Sequence, residues 1–577
     1  MLASSTADTG ELPALNPEAR PVDRRRPALV RGLLGALAAI NLPGKAYARV
    51  MLSRAKHRSL AGHPRMARRI ASWIPFYEYG PDEYFTADGA PAAIAERRRA
   101  GFDRLATRLA TGKAKTIEQS RALAGIVSDV SFTSHYRVPF QFRSMAQQRL
   151  EPGCLLWAAE GAQVQDLDGN QAYDVTGSYG VNLLGNDFYK GSIERGAELV
   201  RELGPILGSY HPIIADIARR LLAISRQDEV SFHMSGTEAV MQAVRLARYH
   251  TGRSHVVRFC GSYHGWWDGV QAGIGNPRPS IELYTLKEMS ATTLEVLRMR
   301  KDIACVLVNP LQALHPNASA PSDSTLISAG RSAKFDKAAY TEWLRQLREI
   351  CSERGIVLIF DEVFLGFRLA RGGAQEYFGV QADLVTYGKT LGGGLPIGVL
   401  CGRRRYMQRF RADQPTNFCF ARGTFNSHPY VLGAMHEFLA ALERPEVLAS
   451  YAVLDEVWDG RCRRLNARLA ELDLPVRIEN MTSVATVLYT QPGRYHWMLQ
   501  YYLRDAGIYL SWIGTGRLIF NHAWSEEDFE QFARRFVAAA EAMRADGWWW
   551  SGPELTTRSI KRRVLRETLR AALRRRP

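Results

Sequence analysis

A lysine, an aspartate and a small polar turn are spaced along this chain as a site for amine chemistry would need them. Ile356 to Phe360 is a continuous apolar run ending in Asp361, the pattern of a buried parallel strand that delivers a carboxylate at its C-terminal end. A second run, Ala382 to Tyr387, leads to Gly388-Lys389 and the turn Gly392-Gly393-Gly394. Open α/β sheets place ligands at neighbouring strand ends, so Asp361 and Lys389 are expected to face one crevice. Burial lowers a lysine's pKa there and frees its amine to form an imine with a carbonyl cofactor. The carboxylate is the expected partner of a pyridinium nitrogen in such a cofactor, which must stay protonated to draw electrons.

The elements that position these groups are readable in outline. Val230 to Met234 reads as a strand running into Ser235-Gly236-Thr237, after which Glu238 to Arg248 has helical spacing. That order offers an anion free N–H groups and the positive end of a helix dipole, and the same residues also read as an ordinary N-cap. Val164 to Leu183 reads as a hairpin turning at Asp168-Gly169-Asn170. Ile303 to Pro310 is another buried strand, and Ala313 to Lys337, rich in Ser, Ala, Pro and Asn, reads as a loop or lid.

Three collinear motifs carry a family resemblance: DEV-x-x-GFR from Asp361 to Arg368, GGAQEYFGV-x-ADL from Gly372 to Leu384, and YGK-x-LGGGLPIG from Tyr387 to Gly398. The sequence resembles the fold-type I, class III pyridoxal-phosphate (PLP) aminotransferases, and within them the branch containing glutamate-1-semialdehyde aminomutase, from near Ser131 to about Ala545. The resemblance implies an α/β fold: a large mixed α/β domain holding PLP plus a small α+β domain built from both sides of it in sequence. It implies Lys389 as the Schiff-base lysine and Asp361 as the ring-nitrogen partner. The remaining cofactor contacts would be Ser235, Gly236 and Thr237 at the phosphate, Tyr263 stacked on the ring, His264 after it, and Val363. Thr424, in the turn Gly423-Thr424-Phe425, corresponds to a residue reaching the phosphate of the opposite subunit, which implies a homodimer. Ser178 and Tyr179 fall on the loop that lines the substrate pocket. No metal is implied.

Departures from the family pattern bear on the substrate. Gly185-Asn186-Asp187 stands where G-H-x-H-P is common, Asn309 replaces the usual glutamate before the proline, and the aminomutase glutamate expected around Gly516 is missing. Trp266 and Trp267 are bulky additions that could wall an apolar acceptor pocket or pack in the core, and Arg517 could bind a carboxylate or lie on the surface. Loss of hydrogen-bonding groups lowers discrimination for a small polar aldehyde. The form GTF-x-x-HP is closer to aminotransferase domains of assembly lines. The expectation is therefore an aminotransferase moving an amino group from an amino donor to a larger ketone or aldehyde, in secondary metabolism. An aminomutase-type isomerase is the alternative within catalysis, and a non-catalytic scaffold the alternative outside it.

Composition frames these readings. The chain has 577 residues, 46% hydrophobic and 23% charged, enough for two or three domains with ordinary cores. Expected boundaries are an N-terminal extension at 1–130, small-domain parts at 131–215 and 436–545, the large domain at 216–435, and a tail at 546–577. Seven cysteines without a C-x-x-C pair indicate neither a disulfide framework nor a zinc site, which favours a reducing, cytoplasmic location. Met1 to Pro27 reads as a disordered leader, Leu29 to Ile40 is too short to span a bilayer, and 45–115 reads as a helical extension. The formal charge of +17 favours an acidic carrier protein or an anionic membrane surface as partner, with peripheral attachment and no nucleic acid. From Arg558 to Arg576 there are nine basic residues and one acid, with Ile560, Val564, Leu565, Leu569, Ala572 and Leu573 read as one side of a basic amphipathic helix.

Overall fold

The computed structural model describes residues 44–56, 63–136, 138–271, 275–276, 278, 281–318, 333, 335–511 and 516–574. The readings of Met1 to Pro27, of Leu29 to Ile40 and of most of the Ala313 to Lys337 insert lie outside them. Two compact units are distinguished, Met1–Met51 and Leu52–Pro577; in the first, residues 44–51 are helical.

In the second unit, β1 (Leu156–Glu160), β2 (Gln163–Asp166) and β3 (Gln171–Asp174) form an antiparallel meander. Its β2–β3 turn is held by the Asp166 carboxylate, which accepts from the backbone N–H of Asp168 and Asn170, each at 3.0 Å. Next come the strands of the large sheet: β4 (Glu229–His233), β5 (His255–Phe259), β6 (Leu283–Leu286), β7 (Ile303–Val308), β8 (Val357–Asp361), β9 (Leu384–Gly388) and β10 (Gly398–Gly402). They lie in the order β4-β10-β9-β8-β7-β5-β6. Only β10 runs against its neighbours. Every residue of β7, β8, β9 and β10 is buried, which is why these segments read as unbroken apolar runs. The helix Gly236–Thr251 covers the sheet with Val240, Ala243, Val244 and Ala247, at helical spacing.

A hairpin, β11 (Phe410–Arg411) with β12 (Gln414–Phe418), leaves the large sheet. Strands β13 (Val476–Met481), β14 (Val484–Tyr489), β15 (Ile508–Tyr509) and β16 (Arg517–Ile519) follow. Among the described residues, β15 and β16 do not pair with each other. β15 instead joins β3 in parallel and β16 joins β14 antiparallel, so the C-terminal part completes two separate sheets.

The second large core ignores the expected boundaries at 130 and 546. Tyr84, Phe102 and Leu105 share one buried cluster with Tyr495, Trp497 and Trp548. A buried ion pair, Arg98 to Asp88 at 2.7 Å, anchors the helix Ala92–Gly112 within it, and Arg98 Nε donates to the Gly547 carbonyl at 2.9 Å. The chain closes with the helix Thr557–Arg574. The leucines share a side as read from the sequence, but Ile560 does not lie with them. Ile560 is buried, whereas Leu565, Leu569 and Leu573 are 59%, 54% and 67% exposed. At 100° per residue Leu565 stands about 140° from Ile560 around the axis.

Candidate active site

Strands β8 and β9 are parallel neighbours, with Asp361 opposite Thr386, so their C-terminal ends bring Asp361 and Lys389 to one edge of the sheet. The Asp361 carboxylate is fixed by three donors. His264 Nδ1 stands 2.8 Å from Oδ2, while the Val363 N–H and the Thr386 hydroxyl each donate to Oδ1 at 3.2 Å. Asp361 and His264 are both buried, and the other histidine nitrogen, Nε2, has no partner among the described residues. Lys389 has a left-handed backbone, φ 49°. Its Nζ donates to the Tyr179 carbonyl at 2.6 Å and lies 4.9 Å from the centre of the Phe364 ring. Burial pushes the Lys389 amine down to about 8; Arg517 and Arg368 push the same way, and Asp361 opposes them.

The Tyr179 carbonyl reaches Lys389 because the chain turns sharply after β3. Gly177, Ser178, Tyr179 and Gly180 have φ of 50°, 45°, 57° and 98° in succession. The Thr176 hydroxyl braces this turn by accepting from Ser178 N–H at 3.0 Å. A side chain at Gly180 would strike Phe364, its Cβ 2.9 Å from the ring.

Ser235 is the N-cap of Gly236–Thr251 and accepts from Glu238 N–H at 3.3 Å. The cap and anion readings are compatible, because the cap uses one of the turn's N–H groups and leaves others at the positive helix end. The turn is pressed into the site on all sides. A Cβ on Gly236 would come 2.6 Å from Val363, one on Gly398 1.9 Å from the Ser235 carbonyl, and one on Gly265 2.5 Å from the Thr237 hydroxyl. Ser235, Gly236, Thr237, Val363 and the Tyr263-His264-Gly265 segment are thereby gathered beside Asp361 and Lys389.

Tyr263 is 59% exposed, and burial of its remainder, with the Asp361 charge, raises its hydroxyl pKa. Its backbone is tied from below: Asn309 Nδ2 donates to the Tyr263 carbonyl at 3.1 Å and Gln312 Nε2 to the Gly261 carbonyl at 3.0 Å. Asn309, noted in the sequence only as a departure, therefore holds the aromatic segment in place.

Of the residues expected at the substrate side, Arg517 is half-buried. Its Nη2 meets His315 Nε2 at 3.3 Å and its guanidinium lies 5.7 Å from the centre of the Phe364 ring. Ser178 and Tyr179 are exposed on their turn. Trp267 packs against the core of the large sheet, and Trp266 is 77% exposed. Thr424 is also exposed. Sequence reasoning missed Phe364, His315 and Thr386; only Thr386, inside the β9 run next to Lys389, had a positional signal. The donor set suits a phosphorylated pyridine aldehyde: an amine, a carboxylate fixed for a ring nitrogen, an aromatic wall and a helix N-terminus for the phosphate.

Residues 144–539 match the model of the family described as aminotransferase class III. The glutamate-1-semialdehyde 2,1-aminomutase of Chlorobium phaeobacteroides is 32% identical over 421 residues, covering 67% of this chain and 90% of the relative. The enzyme of that name from Alkaliphilus oremlandii is 30% identical over 417 residues, covering 68% and 92%. Among solved structures, a transaminase with PLP bound superposes with a TM-score of 0.57 at 26% identity, covering 69% of this chain and 93% of that one. A glutamate-1-semialdehyde aminomutase from Pseudomonas aeruginosa has a TM-score of 0.61 at 20% identity, covering 78% and 99%, and shares the fold.

Proposed function

The chain belongs to the class III aminotransferase family, and from that premise we propose that it carries an amino group from an amino donor to a ketone or aldehyde acceptor at the Lys389–Asp361 crevice. The cofactor is pyridoxal 5′-phosphate, which supplies a carbonyl that condenses with amines and a protonated ring that draws electrons from the bond being broken. The observation that carries the site assignment is the triply held Asp361 carboxylate beside a lysine whose amine is pushed down to about 8. A useful fraction of Lys389 is then neutral near pH 7, able to act as a nucleophile and, once released, to take and return the substrate's α-proton. Asp361, backed by His264, keeps a proton on the ring nitrogen. The Ser235-Gly236-Thr237 turn takes the phosphate and Tyr263 flanks the ring. Arg517 meets a substrate carboxylate, with Phe364 beside it as an apolar wall.

The catalytic unit in this reading is a homodimer in which Thr424 serves the partner's site. Exposed phenylalanines close to it in sequence support this: Phe418, Phe420 and Phe425 are 60%, 65% and 51% exposed, apolar side chains that a partner surface would cover. Seven free cysteines support a cytoplasmic location. The basic ends would take an anionic partner, either an acidic carrier protein or a membrane surface.

A larger acceptor is favoured over the semialdehyde, because Asn309 is used up on the Tyr263 carbonyl and the Leu311 N–H. The test is mass spectrometry of products after incubation with a panel of amino donors and with free or carrier-bound carbonyl acceptors. Amine product matched by keto product from the donor is the expected result. Efficient isomerisation of glutamate-1-semialdehyde without a second substrate would assign the aminomutase activity instead.

A further inference from the structure

The last helix, Thr557–Arg574, is anchored on one side and open on the other. On the inner side Ile560 is buried, and Arg563 Nη1 donates to the Ala87 carbonyl at 3.2 Å. Glu567, the helix's only acid, accepts from Arg494 at 3.0 Å and from the Tyr79 hydroxyl at 2.6 Å. The exposed positions include six cations, Arg558, Lys561, Arg562, Arg566, Arg570 and Arg574. Between them Leu565, Leu569 and Leu573 project one per turn, each more than half exposed.

A second element extends the same composition. The segment clasped by Glu567 through Tyr77 and Tyr79 directly follows the helix Pro64–Trp73. That helix exposes Arg65 and Arg69, and Trp73 and Phe76 are 68% and 50% exposed. Two elements far apart in sequence thus present arginines mixed with leucine and aromatic side chains, joined at the half-buried Glu567 carboxylate.

We propose that these two elements form a docking face for a membrane surface bearing anionic lipid headgroups, with the helix Thr557–Arg574 lying in the plane of the interface. The proposal deepens the anionic-partner part of the function above and does not depend on the amino-transfer chemistry. Lipid satisfies both halves of the composition at once: headgroup phosphates meet the cations, and the acyl boundary takes the leucines and the rings of Trp73 and Phe76. Arginine stems reach the headgroups while lying along apolar surface. A second copy of the chain would set cations against cations. An acidic protein would answer the charge but needs its own apolar strip to cover three leucines spread over two turns. Each cation near an anionic surface strengthens attachment by roughly fivefold, an effect that salt weakens.

The experiment is flotation of the full-length holoenzyme with vesicles of phosphatidylcholine alone or mixed with phosphatidylglycerol. The protein is expected to rise with the anionic vesicles and not with the neutral ones, and to be released by salt. The pair R562Q/R566Q should weaken partitioning roughly 30-fold, and the triple L565S/L569S/L573S by more than about tenfold. Both variants alter exposed side chains, so their melting curves and turnover on small substrates should match the parent. No enrichment on anionic vesicles overturns the proposal. So does undiminished binding of the leucine triple variant, and so does tight retention on an acidic carrier protein without retention on vesicles. Flotation requires no turnover, so its failure leaves the amino-transfer reading standing, and failure of amino transfer leaves flotation unaffected.

Discussion

The strand-end crevice and the collar around Arg98 both bury charge, and they differ in how completely that charge is answered. Arg98 and Asp88 form a two-bond ion pair, and the guanidinium also donates to the carbonyls of Phe85 and Gly547. Little is left for a ligand to do there. In the crevice Asp361 is held as firmly, but His264 Nε2 has no partner among the described residues and the Tyr263 ring is more than half exposed. Buried charge that the chain saturates by itself is scaffold, whereas buried charge held in place with contacts left over is a site.

Lys389→Ala gives the sharpest break between the two regions. Turnover should fall by more than about 10⁴-fold while the melting temperature moves little; residual activity within tenfold of the parent would remove Lys389 from the chemistry. Asp88→Ala should do the reverse. It leaves the Arg98 charge buried and uncompensated, a loss of about 3–5 kcal/mol in urea unfolding, with turnover per folded molecule preserved. An unchanged urea midpoint would show that the collar is not scaffold. Arg517→Ala should raise KM for carboxylate-bearing donors about tenfold and leave kcat for uncharged amines alone; equal effects on both classes would sink its carboxylate role. The smallest effect is in pH. Because Lys389 is lowered from 10.5 to about 8, the charged amine is disfavoured in the folded chain, and that penalty, full below pH 8, fades as pH rises from 8 towards 10.5. The rate at which cofactor-free protein takes up PLP should accordingly climb about tenfold per pH unit below 8 and level off above it. A climb continuing to 10 would mean that burial does not tune this lysine.

The crevice was largely legible in the sequence because its makers are constrained residue by residue. Strands buried on both faces must read as apolar runs, so the positions where β8 and β9 stop, at Asp361 and Gly388, stand out. What stayed hidden was made by backbone or by assembly. The acceptor of the Lys389 Nζ hydrogen bond is a main-chain carbonyl, Tyr179 O, which leaves no residue-type signal. His315 and Arg517 meet across 202 residues. The β15 and β16 segments are two and three residues long, too short for alternation to reveal which sheet each joins. In the collar, residue types say less still. The apolar residues of Thr557–Arg574 look alike in a list, and only their angular positions separate the anchor Ile560 from the outward leucines.

The bond from Arg98 to the Gly547 carbonyl spans 449 positions of the chain, and that from the Tyr495 hydroxyl to the Tyr84 carbonyl spans 411. During synthesis at about 5–20 residues per second, the first helices wait roughly 20 to 90 s for the segments that cover them. Through that interval Tyr84, Phe102 and Leu105 have Phe142 and its neighbours beside them but lack the cover of Tyr495, Trp497 and Trp548. The growing chain on the ribosome, more than the finished enzyme, is therefore expected to be prone to aggregation, and a truncation ahead of Trp548 should prolong that exposure.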